Sequence, residues 1–435
     1  MGLIEISGLL LLVLFFLLGA GVWISIALLA TGYAGMWFAG HPMPGALLAT
    51  TIWGETSSYT LAALPMFIWM GEILFRTKLS DEMFRGLAPW LGRVPGGLMH
   101  VNVIASGLFG SVSGSSAATC ATVAKIALPE LKKRGYDENL SVGSLAGAGT
   151  LGILIPPSIM MVVYAVAAEV SIIQVFLAGF IPGLLVMALY SGYIALVSLI
   201  DPKKAPRQAV HMSFRTKLKE SANLVPVLLL IALVFAVLVS GWASATECAA
   251  WGVAGSLVIA AWQRSLSWDS FWQSIMGATR LTCMIMLILA GAWFMAKAMA
   301  LTQIPNALAL WVEGLGLSPF ALIMALLVMY IILGTALDGI SMIVLTTAVV
   351  LPMIQQAGFD LVWFGIFVIL IVEMAEITPP VGFNLFVLQS MSGKDSNTVA
   401  WAALPFFFLL VLAAVIITIF PDIVMFLPRL VFPSG

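Results

Sequence analysis

Two proline pairs each lie in a segment rich in small and hydroxyl-bearing residues. The segments are Gly147-Ala-Gly-Thr-Leu-Gly-Ile-Leu-Ile-Pro-Pro-Ser158 and Glu376-Ile-Thr-Pro-Pro-Val-Gly-Phe-Asn384. Successive prolines remove two backbone N–H donors, so carbonyl oxygens about one turn earlier lose their helical partners. Together with Ser and Thr hydroxyls, such carbonyls suit a hard cation such as sodium. The alternative is a structural kink whose carbonyls are satisfied by neighbouring groups.

The composition indicates which solvent surrounds these segments. Of 435 residues, 62% are hydrophobic and 9% are charged, against about 45–50% and about 25% in average soluble domains. No water-soluble core holds so much apolar surface, so the solvent is lipid. The length allows about ten or more membrane passes, and residues 1–31 are typical of a first membrane helix rather than a signal peptide. The net charge of −1 gives no basic excess for nucleic acid.

Two further segments predict hairpins at membrane depth. Gly110-Ser-Val-Ser-Gly-Ser-Ser116 lies in a run from Val94 to Ala124 without Asp, Glu, Lys or Arg. Its arms of about 13 residues span about 20 Å, too little for a hydrocarbon core of about 30 Å. We therefore predict a re-entrant hairpin here and a second one around Gly334-Thr-Ala-Leu-Asp-Gly-Ile-Ser341. A continuous helix that uses small residues for close packing is the alternative.

The irregular segments recur at a fixed distance along the chain. Because the chain has 21 prolines, about 0.5 proline pairs are expected by chance at any one offset. Four prolines each have a proline 223 positions later, which predicts an internal repeat; the pairs join Pro129, Pro156, Pro157 and Pro182 to Pro352, Pro379, Pro380 and Pro405.

The positions of Lys and Arg indicate how the two halves are oriented. The linker 201–220 carries six of them, so the positive-inside rule places it in the cytoplasm. Hairpin one has basic residues on both sides, whereas hairpin two is bracketed by Glu313 and Asp360, with the nearest cation at Lys297. Hairpin one should therefore enter from the cytoplasm, with the basic residues on either side of it at the cytoplasmic surface, and hairpin two should enter from the opposite side. This predicts an inverted repeat that brings both tips and both broken helices together near the bilayer centre.

Five segments carry a resemblance to a known family. They are GSVSGSSAAT (110–119), PELKKRGYD (129–137), GTLGILIPPS (149–158), LDGISMIVLT (337–346) and ITPPVGFNLFV (377–387). They resemble the large, DctM-like membrane subunit of TRAP (tripartite ATP-independent periplasmic) transporters, and the resemblance covers nearly the whole chain. In this family a soluble binding protein delivers an organic acid to one small four-helix and one large membrane subunit.

The resemblance implies sodium-coupled import of a C4-dicarboxylate, a sialic acid or a similar carboxylate across the bacterial inner membrane. It also implies an elevator motion, in which a transport domain with both hairpins slides against a scaffold. Because some members fuse the two membrane subunits and this chain is shorter, we expect a separate four-helix partner. The other expected partners are a periplasmic binding protein, the acid and membrane lipid. We expect no catalytic residue and no cofactor, only sodium as the coupling ion.

The resemblance also implies two sodium sites and a substrate site. The first ion would lie between the tip of hairpin one and the first broken helix, at Ser111, Ser113, Gly114, Gly152, Ile155 and Pro156. The second would lie at Gly334, Leu337, Asp338, Ala375, Thr378 and Pro379. The substrate would contact Ser115, Ser116, Thr119 and Asn384, where helix N-termini at the tips suit a carboxylate. Ala375 is the equivalent, in the second repeat, of Gly152 in the first. Its methyl group should leave the second ion site tighter or differently placed.

Two other functions remain open. One is a stand-alone proton- or sodium-coupled carrier or exchanger without a binding protein, in which Glu376 and other acids near membrane depth would carry protons. The other is a membrane scaffold or the membrane part of an enzyme. The chain contains no HExxH, GxSxG or Walker A motif, which argues against these enzyme types. Paired broken helices would be costly in a scaffold without a pathway to line.

The predicted fold is an all-α polytopic membrane protein of elevator type, with an inverted repeat, two re-entrant hairpins and two broken helices. Scaffold helices are expected in 1–54 and 221–274. The first repeat, 55–200, and the cytoplasmic linker, 201–220, lie between them. The second repeat covers 275–428. Within the repeats, the hairpins are expected at about 95–133 and 317–356, and the broken helices at about 141–168 and 361–392.

Overall fold

The computed structural model describes residues 3–432, apart from residues 39, 78, 93, 207–212, 302–306, 308, 309, 311, 313, 336, 380 and 381. Ala336, Pro380 and Val381 of the predicted motifs, and residues 207–212 of the linker, lie outside the described residues. Every regular element in the described part is helical. The α-helices are α1 Leu3–Gly19, α2 Ile24–Phe38, α3 Pro44–Thr56, α4 Ala63–Phe75, α5 Leu79–Leu91, α6 Leu98–Ser113, α7 Ser116–Lys133, α8 Glu138–Leu154, α9 Ile159–Ala167, α10 Ile172–Ile200, α11 Phe214–Ser221, α12 Val225–Ser240, α13 Ala245–Trp262, α14 Trp268–Leu301, α15 Pro319–Gly334, α16 Gly339–Gln356, α17 Leu361–Glu376, α18 Phe383–Ser392, α19 Ser396–Ile419 and α20 Asp422–Val431.

Several of these helices are long and apolar enough to cross a bilayer. Five qualify by themselves, namely α10, α13, α14, α16 and α19. Three bent pairs also qualify: α3 with Tyr59–Phe75, α8 with α9, and α11 with α12. If each pair is one span, the described chain has up to eight spans, as expected for a multi-pass membrane protein.

Hairpin one consists of α6 and α7, which meet at Gly114 and Ser115. Gly114 ends α6 in the left-handed conformation, with φ 61°, and Ser115 caps α7 by accepting from the N–H of Ala118. The helices have 16 and 18 residues, or about 24 and 27 Å, still less than a core of about 30 Å. The turn is shorter and the arms are longer than predicted, because one left-handed glycine is enough to end a helix.

The other irregular elements follow the same plan. Hairpin two consists of α15 and α16, with Asp338 as the N-cap of α16. The first broken helix consists of α8 and α9, bent by 46° over residues 155–158. The second consists of α17, which ends at Glu376, and α18, which begins at Phe383.

The helices of the two halves recur in the same order. Helices α7 and α16 start at residues 116 and 339, and α8 and α17 start at residues 138 and 361. Both spacings are 223 residues, which is also the spacing of the paired prolines. The orientation of the two halves in the membrane stays a prediction.

Helix α8 packs against helices of both halves. It packs on both arms of hairpin one and on α17, α18 and α19 of the second half, and all its residues from Leu140 to Leu154 are buried. Glycines allow this close packing: a Cβ at Gly147 would lie 2.7 Å from Cδ1 of Phe406 in α19. The first broken helix therefore positions residues from both repeats around one centre.

Candidate functional site

The tip of hairpin one lies directly on the first broken helix. A Cβ added at Gly152 would lie 2.6 Å from Thr119 Oγ1 and 2.7 Å from the carbonyl oxygen of Ser115. A Cβ at Gly110 would lie 2.5 Å from the Cα of Gly152. The two backbones therefore meet with no room for a side chain, and carbonyl and hydroxyl oxygens of the tip face α8.

Hydroxyl groups form a cluster inside this tip. Ser113 Oγ lies 2.8 Å from Thr119 Oγ1, and the Ser113 hydroxyl donates to the carbonyl of Ser115 at 3.4 Å. The structure thus brings four of the predicted residues, Ser113, Ser115, Thr119 and Gly152, into one place. The hydroxyl of Ser111 instead donates to the carbonyl of Leu108 in its own helix at 2.8 Å.

The interruption of the first broken helix forms the other wall of this site. A Cβ at Gly114 would lie 3.1 Å from the backbone nitrogen of Ile159, so the tip of the hairpin contacts the start of α9. The side chain of Ile155 contacts α10, 2.8 Å from a Cβ built at Gly183. Pro156 is buried in the interruption.

Ser158 is a residue that the sequence predictions missed. Its hydroxyl is buried and has no hydrogen-bond partner in the described part of the protein. Buried hydroxyls normally have a partner, and an orphaned one calls for a ligand or a functional explanation. The available signal was its position, since it follows the proline pair directly in the sequence.

The second half contains the equivalent contact between hairpin two and the second broken helix. A Cβ at Gly334 would lie 2.5 Å from the Cβ of Ala375. The carboxylate of Asp338 accepts from the backbone N–H of Ser341 at 3.2 Å and also from the Ser341 hydroxyl. The structure thus places Gly334, Asp338 and Ala375 where this hairpin meets α17.

The remaining predicted residues of the second site are less enclosed. The N–H of Leu337 donates to the carbonyl of Leu333 at 3.0 Å, and Leu337 is half-buried. The hydroxyl of Thr378 donates to the carbonyl of Met374 at 2.5 Å. Pro379 is exposed.

Two acidic side chains are buried near the C-terminal end of α17. Glu373 is 0% exposed and lies near Thr150 of α8. Glu376 is 8% exposed, and its Oε2 has no hydrogen-bond partner in the described part of the chain. Glu376 and Asp338 are close enough to interact electrostatically. The ion pairs among the described residues all involve other acids. Buried carboxyl groups without a cationic partner among the described residues are stabilised either by protonation or by a bound cation.

Between the two contacts, one polar pair joins the repeats. Ser116 Oγ lies 3.1 Å from Oδ1 and 2.8 Å from Nδ2 of Asn384, and the Asn384 amide also donates to the carbonyl of Ala146 at 3.4 Å. Ser116 begins α7, and Asn384 is the second residue of α18. Two helix N-termini thus lie at one buried polar pair, a geometry that favours a carboxylate.

Comparisons with known proteins agree with this architecture. The profile of the family described as "Tripartite ATP-independent periplasmic transporter, DctM component" matches residues 11–423. The C4-dicarboxylate TRAP transporter large permease protein DctM of Pseudomonas aeruginosa is 33% identical over 88% of this chain and 89% of that protein. The sialic acid TRAP transporter permease protein SiaT of Haemophilus influenzae is 30% identical over 86% of this chain and 61% of that protein. Among solved structures, the YdaH transporter of Alcanivorax borkumensis has a similar fold, with a TM-score of 0.63, 14% identity, and coverage of 86% of this chain and 88% of that one.

Proposed function

The chain belongs to the DctM component family of tripartite ATP-independent periplasmic transporters, and we propose that this large permease subunit imports an organic acid by coupling it to sodium. Its membership confirms the resemblance seen in its motifs. The observation that carries the proposal is the close contact of each hairpin with its broken helix, where hydroxyl, carbonyl and carboxyl oxygens lie near the contact.

The first sodium ion is proposed at the tip of hairpin one. The oxygens of Ser113, Ser115 and Thr119 face Gly152, and the orphaned hydroxyl of Ser158 adds a further oxygen at the interruption. Hard cations prefer such oxygen ligands. A sodium ion would bridge the hairpin and the broken helix, and so favour a closed tip.

The second sodium ion is proposed where hairpin two meets α17. Here Asp338 and Glu376 each supply a carboxyl group, and no ion pair among the described residues includes either of them. A cation would reduce the repulsion between the two carboxylates. The methyl group of Ala375 leaves less space at this contact than Gly152 leaves at the first one. We therefore propose that the Asp338 side chain, rather than the backbone near Ala375, contributes most to ion binding here.

The substrate is proposed to be an organic acid bound between the tips. Relatives are named for C4-dicarboxylate and sialic acid, and both are carboxylates. The N-termini of α7 and α18 would hold the carboxylate, with Ser116 and Asn384 as hydrogen-bonding partners. Ser115 and Thr119, which the resemblance suggests as substrate contacts, are proposed here as sodium ligands because their oxygens face Gly152. The loaded hairpins and broken helices would cross the membrane as one body, in an elevator motion.

The proposed partners follow from the family. A small four-helix membrane subunit would form the membrane pair with this chain in the bacterial inner membrane, and a periplasmic protein would deliver the acid. A stand-alone carrier without these partners is the second candidate, and the buried Glu373 and Glu376 are the observation that would favour proton coupling in it.

Uptake of labelled organic acids into proteoliposomes tests the proposed function. The vesicles would contain this chain and its small partner, with binding protein outside and an inward gradient of sodium or potassium. We expect uptake to require both sodium and the binding protein. Uptake driven by a proton gradient instead would refute sodium coupling, and uptake without the binding protein would support the stand-alone carrier.

A further inference from the structure

A cavity of about 390 Å³ lies at the far ends of α7 and α18. Both helices begin at the Ser116–Asn384 pair and end at this cavity, and the N-terminus of α8 completes its wall. Lys125, on the inner edge, is nine residues from Ser116, or about 13 Å at a rise of about 1.5 Å per residue. The cavity thus lies on a direct line along two helices from the proposed substrate site.

The lining of the cavity carries excess positive charge. Lys132 and Lys394 both pair with the same carboxylate, that of Glu138, at 3.0 and 3.3 Å. Lys125 lines the cavity as well, and no ion pair of the described residues includes it. Three ammonium groups therefore face one carboxylate, and the side chain of Lys394 is only 22% exposed. A partly enclosed cavity lined in this way concentrates anions.

We propose that this cavity is the cytoplasmic exit vestibule for the transported acid, and that it takes a soluble di- or monocarboxylate through Lys125 and Lys394. This inference rests on the proposed function in one respect, the import direction, which makes the cytoplasmic side the exit; residues 129–134 are predicted to lie on that side. Binding of a carboxylate in the cavity does not depend on which ion drives uptake.

A cysteine placed in the cavity tests this inference in the full-length chain reconstituted in nanodiscs. Ser392 lines the cavity and is half-buried, so Ser392→Cys would report on it, in a chain with the exposed Cys283 changed to Ser. We expect an anionic thiosulfonate reagent to modify it faster than a cationic reagent of equal size. Lys125→Gln should lower that rate ratio about threefold or more.

Lys133→Gln is the matched control, because it removes the same charge from the same helix outside the cavity lining. It should leave the ratio within error of the parent, and Lys125→Arg should preserve it. Succinate should slow modification at least threefold, more than inorganic phosphate does at equal concentration, and Lys125→Gln should weaken that protection.

Three results would overturn the inference: no protection by succinate, equal protection by phosphate, or equal effects of Lys125→Gln and Lys133→Gln. The assay needs neither sodium nor binding protein. If succinate protects the cysteine but uptake does not depend on sodium, sodium coupling is refuted and the vestibule is supported. If uptake depends on sodium but succinate gives no protection, the vestibule is refuted and sodium coupling is supported.

Discussion

Gly110 of hairpin one packs backbone to backbone on Gly152 of the first broken helix, whereas its repeat equivalent Gly334 packs on the methyl group of Ala375 in the second half. The paired positions are 224 and 223 residues apart. Both contacts join a hairpin to the helix break that follows it in the chain. The ion sites of the proposed function therefore rest on one structural unit that occurs twice, with a methyl group added in the second copy.

Substitution of Gly110 by alanine tests the close contact. Its Cβ would lie 2.5 Å from Gly152 Cα and 2.9 Å from Gly152 N, so backbone must move. We expect Gly110→Ala to destabilise the protein by about 1–3 kcal/mol and to lower uptake. Gly192→Ala is the control, since nothing lies within 4 Å of a Cβ there. Equal melting temperatures for the two variants in a detergent melt would show that the contact does not constrain the hairpin.

Removal of the charge of Asp338 tests the second ion site. Asn also caps helices well, so Asp338→Asn keeps the cap of α16 and loses the carboxylate. We expect the sodium concentration for half-maximal uptake to rise about tenfold, corresponding to about 1.4 kcal/mol. Asp395→Asn is the matched control, because Asp395 caps α19 and accepts from the N–H of Thr398 at 3.1 Å, in an exposed position. An unchanged sodium dependence in Asp338→Asn would exclude this residue from ion binding.

Removal of the orphaned hydroxyl of Ser158 tests the first ion site. Because it has no partner in the described part of the chain, its removal should cost no stability in the absence of sodium. Ser158→Ala should, however, reduce the stabilisation that added sodium gives, and raise the half-maximal sodium concentration about threefold or more. Ser198→Ala removes a buried hydroxyl that donates to the carbonyl of Ile194, and should leave sodium dependence unchanged. A sodium response of Ser158→Ala equal to that of the parent would contradict the assignment.

Substitution of Ser116 and Asn384, singly and together, tests the substrate site. We expect Ser116→Ala and Asn384→Ala each to lower uptake about tenfold, and the double variant to lose less than the product, with a coupling of about 0.5–3 kcal/mol. Asn397→Ala, an exposed change, serves as the control. A double variant whose loss in the kcat/KM of uptake equals the product of the two single losses would show that the two side chains act independently on the substrate.

Prolines, glycines and charges made much of the architecture predictable. Helices α6 and α7 lie within the predicted hairpin one, 95–133, and α8 and α9 overlap the predicted broken helix, 141–168, although α8 begins at Glu138. This is because a proline pair and a glycine act on the backbone locally. The exact ends of the helices were less predictable. Gly110 and Ser111 stay helical inside α6, since the tip is set by Gly114 alone.

The side-chain network of the site could not be derived from local sequence. Ser116 and Asn384 are 268 residues apart, and only a resemblance to known proteins placed them together. Ser158 went unnoticed because a serine after two prolines is an ordinary turn residue. Its lack of a partner depends on how α8, α9 and hairpin one pack, which no single segment specifies.

Simultaneous measurement of ²²Na and labelled acid entering the same proteoliposomes tests sodium coupling itself. We expect sodium to enter together with the acid in a fixed ratio, only when the binding protein is present, and Asp338→Asn to lower both fluxes at a given sodium concentration. Entry of the acid without an accompanying sodium flux, or in step with a proton gradient alone, would contradict sodium coupling.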